Sequence, residues 1–166
     1  MFACACLMPT NGQRRVDMPD KATLERAKKD NREGKAASTQ AGEFVREEID
    51  HIREGKHGAR SAKQAIAIGL SKARRAGVDL PPPKKGTTSE ETRRSAASAY
   101  RAGQDGDDKV SRTRSRAATK ALKQEGQAAV SKRALSKQAH ASAAKRTASE
   151  RSAATRKAAR TRARHN

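Results

Sequence analysis

Large apolar side chains are scarce in this sequence, and aromatic ones are almost absent. The 166 residues include no Trp, one Tyr and two Phe, and hydrophobic residues reach only 34%, much of it alanine. A chain with so few large apolar groups cannot offset the entropy cost of ordering its whole length. We therefore expect a small helical core, joined to segments that are helical only under some conditions.

Cysteine and long apolar runs are scarce as well. Cys4 and Cys6 are the two cysteines, and one C-x-C pair without a nearby His is too little for a zinc site or a disulfide framework. The apolar stretch 2–8 lacks the basic start of a signal peptide. No run approaches the roughly 18–20 apolar residues of a membrane span. These absences predict a cytoplasmic protein without membrane association.

Catalytic and cofactor motifs are missing too. The sequence contains no phosphate-binding P-loop, no G-x-G-x-x-G and no nucleophile elbow. Ser142 and Lys145 match S-x-x-K, but a segment rich in Ala, Lys and Ser produces that match by chance. His51 and His57 are not spaced as a helical metal pair, so we interpret the nearby carboxylates as ordinary helix-face charges. The acidic turn 103–108 has too few ligands for an EF-hand. We expect no enzyme activity, no metal and no cofactor.

Positive charge, by contrast, is abundant and unevenly placed. Lys and Arg total 38 against 18 Asp and Glu, a formal net charge of +20. The chain divides into a non-native or disordered extension (1–17) ahead of Met18, a helical hairpin core (18–80), a linker with a polar helix (81–109), and a basic arm (110–166). The arm holds 16 basic and 2 acidic residues, hence +14 of the total. Such a balance favours a polyanionic partner.

The core segment carries helical patterns with recognisable ends. A charged helix is predicted over Lys21–Arg32, and a second from a cap at Ser38 or Thr39 to about Glu54. A third follows an S-x-x-Q capping box at Ser61 and runs to Ala76. Apolar residues of the second helix recur three and four apart, which forms one stripe: Ala41, Phe44, Val45, Ile49 and Ile52.

This core is thin for a domain of its size. We therefore expect a homodimer through the Phe44/Ile49 face. Beyond the core, prolines 81–83 form a stiff spacer, and Thr88 with Glu91 predicts a capping box for a polar helix ending near Ala102. The fold class is mostly α: a helical hairpin core, a Pro-rich linker and partly disordered basic helices.

The basic arm is the strongest functional signal. Because the chain lacks the aromatic rings on which single-stranded bases stack, phosphate contacts should dominate and sequence preference should be weak. Nucleic acid is the expected partner, with duplex DNA favoured and RNA left open. The predicted contact residues are Lys56, Arg60, Lys63, Arg112, Arg114, Arg116, Lys120, Lys123, Lys132, Arg133, Lys137, Lys145, Arg146, Arg156, Lys157, Arg160, Arg162 and Arg164.

Several alternatives stay open at this point. The loop at Lys56–Arg60 and the helix after Ser61 form either a groove-reading helix-turn-helix or a charged surface on a packing hairpin. The arm is either a nucleic-acid ligand or a solvated tail without a specific partner. Beside a nucleoid-associated DNA-binding protein, the chain is compatible with an RNA- or ribosome-associated protein, or with a stress-protective protein-interaction module.

Two resemblances accompany these patterns. The segments GEFVREEI (42–49), HIREGKHGARS (51–61) and KQAIAIGLSKARRAG (63–77) resemble a family of small basic bacterial proteins of unknown function. That resemblance implies a bacterial origin and no particular activity. The tail is similar to the Ala/Lys-rich arms of histone H1-like nucleoid proteins, although it carries more Ser, Thr and Arg. This second resemblance implies DNA compaction or bridging.

Overall fold

The computed structural model describes residues 18–106 and 111–165, without the side chains of Arg112 and His165. Within those ranges the chain is helical and contains no strand, which confirms the predicted fold class. The helices are α1 (Lys21–Arg32), α2 (Ala37–Arg53), α3 (Ala62–Arg75), α4 (Glu90–Gln104), α5 (Arg112–Lys123), α6 (Lys132–Ala144) and α7 (Ala148–His165), with a short 3-10 turn at Ala128–Val130 before α6. The predicted extension 1–17 lies outside the described residues.

Two of the predicted helix starts are wrong by one to three residues. Helix α2 begins at Ala37, and Ala36 precedes it without a side-chain cap. The turn before it is already closed, because the Lys35 N–H donates to the Asp30 carbonyl and Gln40 donates to the Lys35 carbonyl. A cap at Ser38 or Thr39 is therefore not needed.

Helix α4 is capped by Ser89 rather than by Thr88 with Glu91. The Ser89 hydroxyl accepts a hydrogen bond from the Thr92 N–H at 3.3 Å. The capping box at Ser61 is confirmed in its main feature, since the Ser61 hydroxyl accepts from the Gln64 N–H at 3.2 Å. The Gln64 side chain returns to the Arg60 N–H at 2.8 Å, one residue earlier than in the usual box.

The first core cluster joins α1, α2, α3 and the residues after α3. Phe44 is completely buried there, together with Ala27, Ala41, Ala73 and Val78. Small residues bring the helices close together. A Cβ at Gly69 of α3 would lie only 2.6 Å from the Cα of Val45 in α2, so this crossing tolerates only glycine.

A second cluster extends the core into the basic arm. Ile52, Ala59 and Ala65 of the hairpin pack with Ala129 and Val130, and Val130 is 2% exposed. Helix α6 also contacts α3. The packed fold is therefore larger than the hairpin of 18–80, because residues beyond 110 supply part of its interior.

The expected dimer face is an internal packing face. Phe44 is 0% exposed within the single chain, and Ile49 packs against the second cluster. The thin hairpin suggested that a second copy must cover this stripe, but α1 and the turn at Ala128–Val130 cover it instead. Residues 81–109 also contribute: α4 packs on α3, and the Tyr100 hydroxyl donates to Asp79 at 2.7 Å. None of the described helices is long and apolar enough to cross a membrane.

Candidate nucleic-acid interface and buried charge cluster

The predicted basic residues of the hairpin loop lie at the surface. Lys56, Arg60 and Lys63 are all exposed. The Lys56 ammonium lies 2.9 Å from Glu54, and this hydrogen-bonded contact lowers the pKa of the Glu54 carboxyl. Capping already uses the N–H groups of Arg60 and Gln64, so an anion at this helix end would compete with those two bonds.

Helix α3 is unsuited to lie along a DNA groove. It is contacted by α2, α4, α6 and the turn at Ala128–Val130, and Arg114, Ser115 and Ala118 of α5 share a cavity with it. Between residues 62 and 75, Lys63 and Ala67 are the fully exposed side chains. The hairpin is thus a packing unit with a charged loop, and the helix-turn-helix interpretation stays a prediction.

The basic loop is held against the arm by backbone hydrogen bonds. The Gly58 N–H donates to the Leu122 carbonyl at 2.9 Å, and the Ala59 N–H donates to the Gly126 carbonyl at 3.1 Å. A Cβ at Gly58 would overlap the carbonyl oxygen of Glu125. Two basic sets that lie more than fifty residues apart in sequence are thus adjacent, since Lys56 and Arg60 flank Gly58 as Lys123 flanks Leu122.

Helices α5 and α6 each turn one side towards the fold and their basic side chains towards solvent. In α5 the partly buried positions recur at three- and four-residue steps, at Ser115, Thr119 and Leu122. In α6 they are Ala134, Leu135 and Gln138. The exposed basic residues of the two helices are Arg114, Arg116, Lys120, Lys123, Lys132, Arg133 and Lys137.

Helix α7 is different because it is exposed on every side. Each of residues 148–164 is exposed. Its start is well defined: the Thr147 N–H donates to Glu150 at 2.8 Å, and the two hydrogen bonds from Thr147 lower the pKa of the Glu150 carboxyl. The exposed basic residues of α7 and the turn before it are Lys145, Arg146, Arg151, Arg156, Lys157, Arg160, Arg162 and Arg164. Of the predicted contact residues, only Arg112 has a side chain outside the described part.

A second group of charged residues lies inside the fold. We define the buried charge cluster as Glu47, Glu48, His51, His57 and Lys72, whose side chains are between 0% and 10% exposed. Helix α2 supplies three of these residues, the loop supplies His57, and α3 supplies Lys72. The interpretation of the two glutamates as ordinary helix-face charges is wrong.

Distances within the cluster are short. Glu48 Oε2 lies 2.7 Å from Lys72 Nζ, and Glu48 Oε1 lies 3.3 Å from His57 Nε2. Glu47 Oε1 lies 3.8 Å from Lys72 Nζ and 4.0 Å from His51 Nε2. On the outer side, His51 Nε2 lies 3.3 Å from Asp20 Oδ2.

The helical periodicity contains a signal for this burial. Phe44, Glu47, Glu48, His51 and Ile52 follow the steps of three and four residues that define one helix face. In α3, Lys72 stands three residues after Gly69 on the face of small residues. A search for apolar residues predicts only the stripe of Ala41, Phe44, Val45, Ile49 and Ile52. It leaves out the polar residues that are buried on the same helix face.

Comparison with known proteins adds one match. Residues 21–85 match the model of a family described as a family of unknown function, DUF6496. No match to a curated protein or to a solved structure was found. The predicted resemblance of the hairpin to a family without a known activity is thus supported, while bacterial origin and the likeness to histone H1-like tails stay predictions. The matched segment contains all five residues of the buried charge cluster and none of the basic arm.

Proposed function

We propose that this protein binds duplex DNA through phosphate contacts of its basic C-terminal arm, with little sequence preference, as a nucleoid-associated protein. The observation that carries the proposal is the exposure of α7 along its whole length. Apart from alanine, this helix has no apolar side chain with which to dock onto its own fold. Six of its 18 residues are Lys or Arg and one is acidic, so a polyanion is the partner that its surface fits.

The charges of α5 and α6 extend this surface. Their basic side chains point away from the packed fold, and none of the basic side chains described after residue 111 lies within 4 Å of a carboxylate. Unpaired lysines and arginines can engage phosphates without first losing an internal partner. The loop residues Lys56 and Arg60 lie beside the end of α5 and add to the same positive region.

Phosphate binding predicts strong salt dependence. Each contact with duplex DNA contributes a slope of about −0.9 to the dependence of log K on log salt concentration. If roughly eight contacts form at once, affinity falls by about 10³–10⁵ between 50 and 200 mM salt. Sequence should matter little, because the sequence has one Tyr, two Phe and no Trp on which bases could stack, and phosphate contacts carry no sequence information.

The test compares two variants of equal net charge. In the first, Arg156, Arg160 and Arg164 of α7 are each replaced by Gln. In the second, Lys21, Lys28 and Arg32 of α1 are replaced by Gln, so that both proteins carry 20 − 3 = +17. Fluorescence anisotropy with a labelled duplex is measured across a salt series for both variants and the unmodified chain.

We expect the α7 variant to bind more weakly, with a salt slope shallower by about 2.7 if all three residues contact phosphate. The α1 variant should bind almost as the unmodified chain does. Equal losses in the two variants would show a diffuse charge effect and reject the arm as the binding element. In a competition at matched salt, displacement of the duplex by structured RNA at lower concentration than by unlabelled DNA would favour the RNA-associated alternative.

A further inference from the structure

We infer that Glu48, His51 and His57 form a buried site for a divalent transition-metal ion of the Zn²⁺ type. One ligand atom from each of these residues lies within 4.8 Å of the others. Glu48 and His51 are three residues apart on α2 and therefore lie on the same helix face. His57 reaches them from the loop that follows the helix. Two imidazoles and one carboxylate form a ligand set that Zn²⁺ accepts readily.

Two facing atoms of the proposed site, on Glu48 and His57, lack a hydrogen bond. Five buried polar atoms of the described residues have no well-directed hydrogen bond: Glu47 Oε1, Glu48 Oε1, Glu48 Oε2, His57 Nε2 and Lys72 Nζ. Two of them, Glu48 Oε1 and His57 Nε2, face each other at 3.3 Å. Buried polar atoms in folded proteins are normally satisfied, and an unsatisfied one points to a missing water or ion. Both atoms are aimed at the same space, and both are good metal ligands.

The tautomer of His57 leaves its Nε2 atom available as a metal ligand. Its Nδ1 lies 3.1 Å from the Gly58 carbonyl oxygen, an acceptor, so Nδ1 carries the proton. In the neutral ring, Nε2 is then an acceptor that faces a carboxylate oxygen, and the two lone pairs repel. A metal ion between them removes the repulsion, as a second proton on the ring would. A metal-bound histidine usually donates its other ring N–H to a carbonyl in this way.

The distance between His57 Nε2 and Glu48 Oε1 also suits two ligands of one ion. A charge-assisted N–H···O bond is about 2.7–2.9 Å long, shorter than the 3.3 Å between His57 Nε2 and Glu48 Oε1. Two ligands held about 2.0–2.1 Å from a tetrahedral zinc ion lie about 3.3–3.4 Å apart. The observed separation is compatible with two neighbouring ligands of one ion, although the His51–Asp20 contact has the same length without one.

The net charge of the buried charge cluster favours a cation as well. The buried carboxylates of Glu47 and Glu48 face one buried ammonium, Lys72, which leaves one negative charge without compensation when the imidazoles are neutral. Burying an uncompensated charge is costly. A divalent ion reverses the sign to one positive charge, which Asp20, 3.3 Å from His51 Nε2, offsets.

The groups around the three ligands are arranged to hold them. Lys72 binds the far oxygen of Glu48 at 2.7 Å, Asp20 binds His51, and the Gly58 carbonyl binds His57. Because the side chains of Glu48 and His57 are 0% exposed, the site has no open side for a substrate. The three protein ligands leave the fourth position of a tetrahedral zinc ion to a water molecule, and the ion would fix the loop on which the arm docks.

The neighbouring set of Asp20, Glu47 and His51 meets the same distance condition but fits an ion less well. It has a single imidazole, and Glu47 Oε2 already accepts a hydrogen bond from the Asp20 N–H at 3.2 Å. Asp20 is also partly exposed, with a side chain 35% exposed. This set is better explained as the outer support of His51.

The test uses the full chain with Cys4→Ser and Cys6→Ser, so that the two thiols do not compete for metal. The protein is freed of metal with a chelator and titrated with Zn²⁺ by isothermal calorimetry. We expect one Zn²⁺ per chain. His57→Gln and Glu48→Gln should each lower the affinity by about 100-fold or more, beyond the 10–100-fold typical of a supporting residue. His140→Gln, which removes an exposed histidine of α6, is the matched control and should bind as the parent does.

A second measurement covers the case in which the ligand variants do not fold. Imidazole NMR resonances of the unmodified histidines are followed during Zn²⁺ addition. The signals of His51 and His57 should shift with saturation at one equivalent, while those of His140 stay in place. Zn²⁺ addition should also raise the melting temperature. Failure of the folded parent to take up Zn²⁺, unshifted His51 and His57 signals, or equal binding by parent and His57→Gln would overturn the inference.

Discussion

The buried charged residues of the hairpin and the exposed ones of the basic arm form two populations. In the hairpin, Lys72 and Arg74 are 4% and 6% exposed, and each has a partner: Lys72 lies against Glu48, and Arg74 donates to the Leu80 carbonyl at 3.0 Å. Burial also lowers the pKa of Arg74. In the described part of the arm, the basic side chains are exposed and lack carboxylate partners. Charges of the first kind belong to the fold, whereas those of the second are free for an external polyanion.

The difference follows from solvation. A buried ion has lost its water and depends on the partners that remain, so removing one partner costs several kcal/mol. An exposed ion keeps its water, and pairing it contributes little to stability. The same residue type therefore serves stability in one region and binding in the other. The predictions below test this division with substitutions that should separate the two populations.

The largest effect is expected from Glu48→Ala in metal-free protein. The substitution removes the 2.7 Å partner of Lys72 and leaves Glu47, 3.8 Å away, as its remaining carboxylate, so unfolding in urea should become easier by up to about 3–5 kcal/mol. Glu25→Ala is the control, since that side chain is 68% exposed, and it should change stability by less than about 0.5 kcal/mol. A small effect of Glu48→Ala would mean that the cluster is solvated.

Gly58→Ala tests where the fold ends and the arm begins. The new methyl group would overlap the Glu125 carbonyl oxygen, so we expect a loss of about 1–3 kcal/mol from overpacking. Gly42→Ala in α2 is the matched control, because a Cβ there meets no atom within 4 Å. That control should stabilise the helix by up to about 1 kcal/mol. If Gly58→Ala is also neutral or stabilising, the arm does not dock on the loop in solution.

The Tyr100–Asp79 hydrogen bond lies at the surface and joins α4 to the segment that follows α3. The Asp79 carboxylate accepts from the phenol and raises the pKa of Tyr100 above its ordinary value. The contribution of this bond to stability is present below the pKa of the unfolded chain, about 10, and is lost as pH rises through the folded pKa. Because the chain has one Tyr and no Trp, ultraviolet titration of tyrosinate reports this group alone. Asp79→Asn should return the titration towards the ordinary value; an unchanged midpoint would contradict the contact.

The smallest effect on stability is expected from the α7 variant with Arg156, Arg160 and Arg164 replaced by Gln. These side chains are exposed, and Gln is nearly as good a helix former as Arg. The urea midpoint should move by less than about 0.5 kcal/mol in free energy, although DNA affinity falls. A marked loss of stability would show that α7 packs against the rest of the chain, which would break the division between the two regions.

Local sequence features allowed much of the helical layout to be predicted. Helix α1 begins and ends at the predicted residues, and Ser61 caps α3 as its S-x-x-Q pattern indicates. Helix α4 and the exposed basic helices were also expected. Each of these features depends on residues a few positions apart, where capping, turn chemistry and periodicity act directly. The one-residue error at Ser89 is of the same local kind, since Thr88 and Ser89 are both good caps.

The buried charge cluster could not be predicted in the same way. His51 and His57 are six residues apart, a spacing that does not place both on one helix face, and the turn at Gly55 is what folds His57 back towards Glu48. The Gly55 φ angle of +74° makes that reversal. Lys72, the partner of Glu48 on α3, lies more than twenty residues after Glu48 in the sequence. Such a cluster depends on how two helices pack, which the periodicity of either helix does not specify.

The sequence by itself determined that this protein is helical and that +14 of its +20 net charge lies beyond residue 109, because propensity, capping and charge are properties of the local chain. Only the tertiary structure decided which charges lose their water. It placed Glu48, His57 and Lys72 together inside the hairpin, and it brought Val130 from the arm into the core. Burial depends on contacts between distant segments, and it changes a surface charge into one that needs a partner.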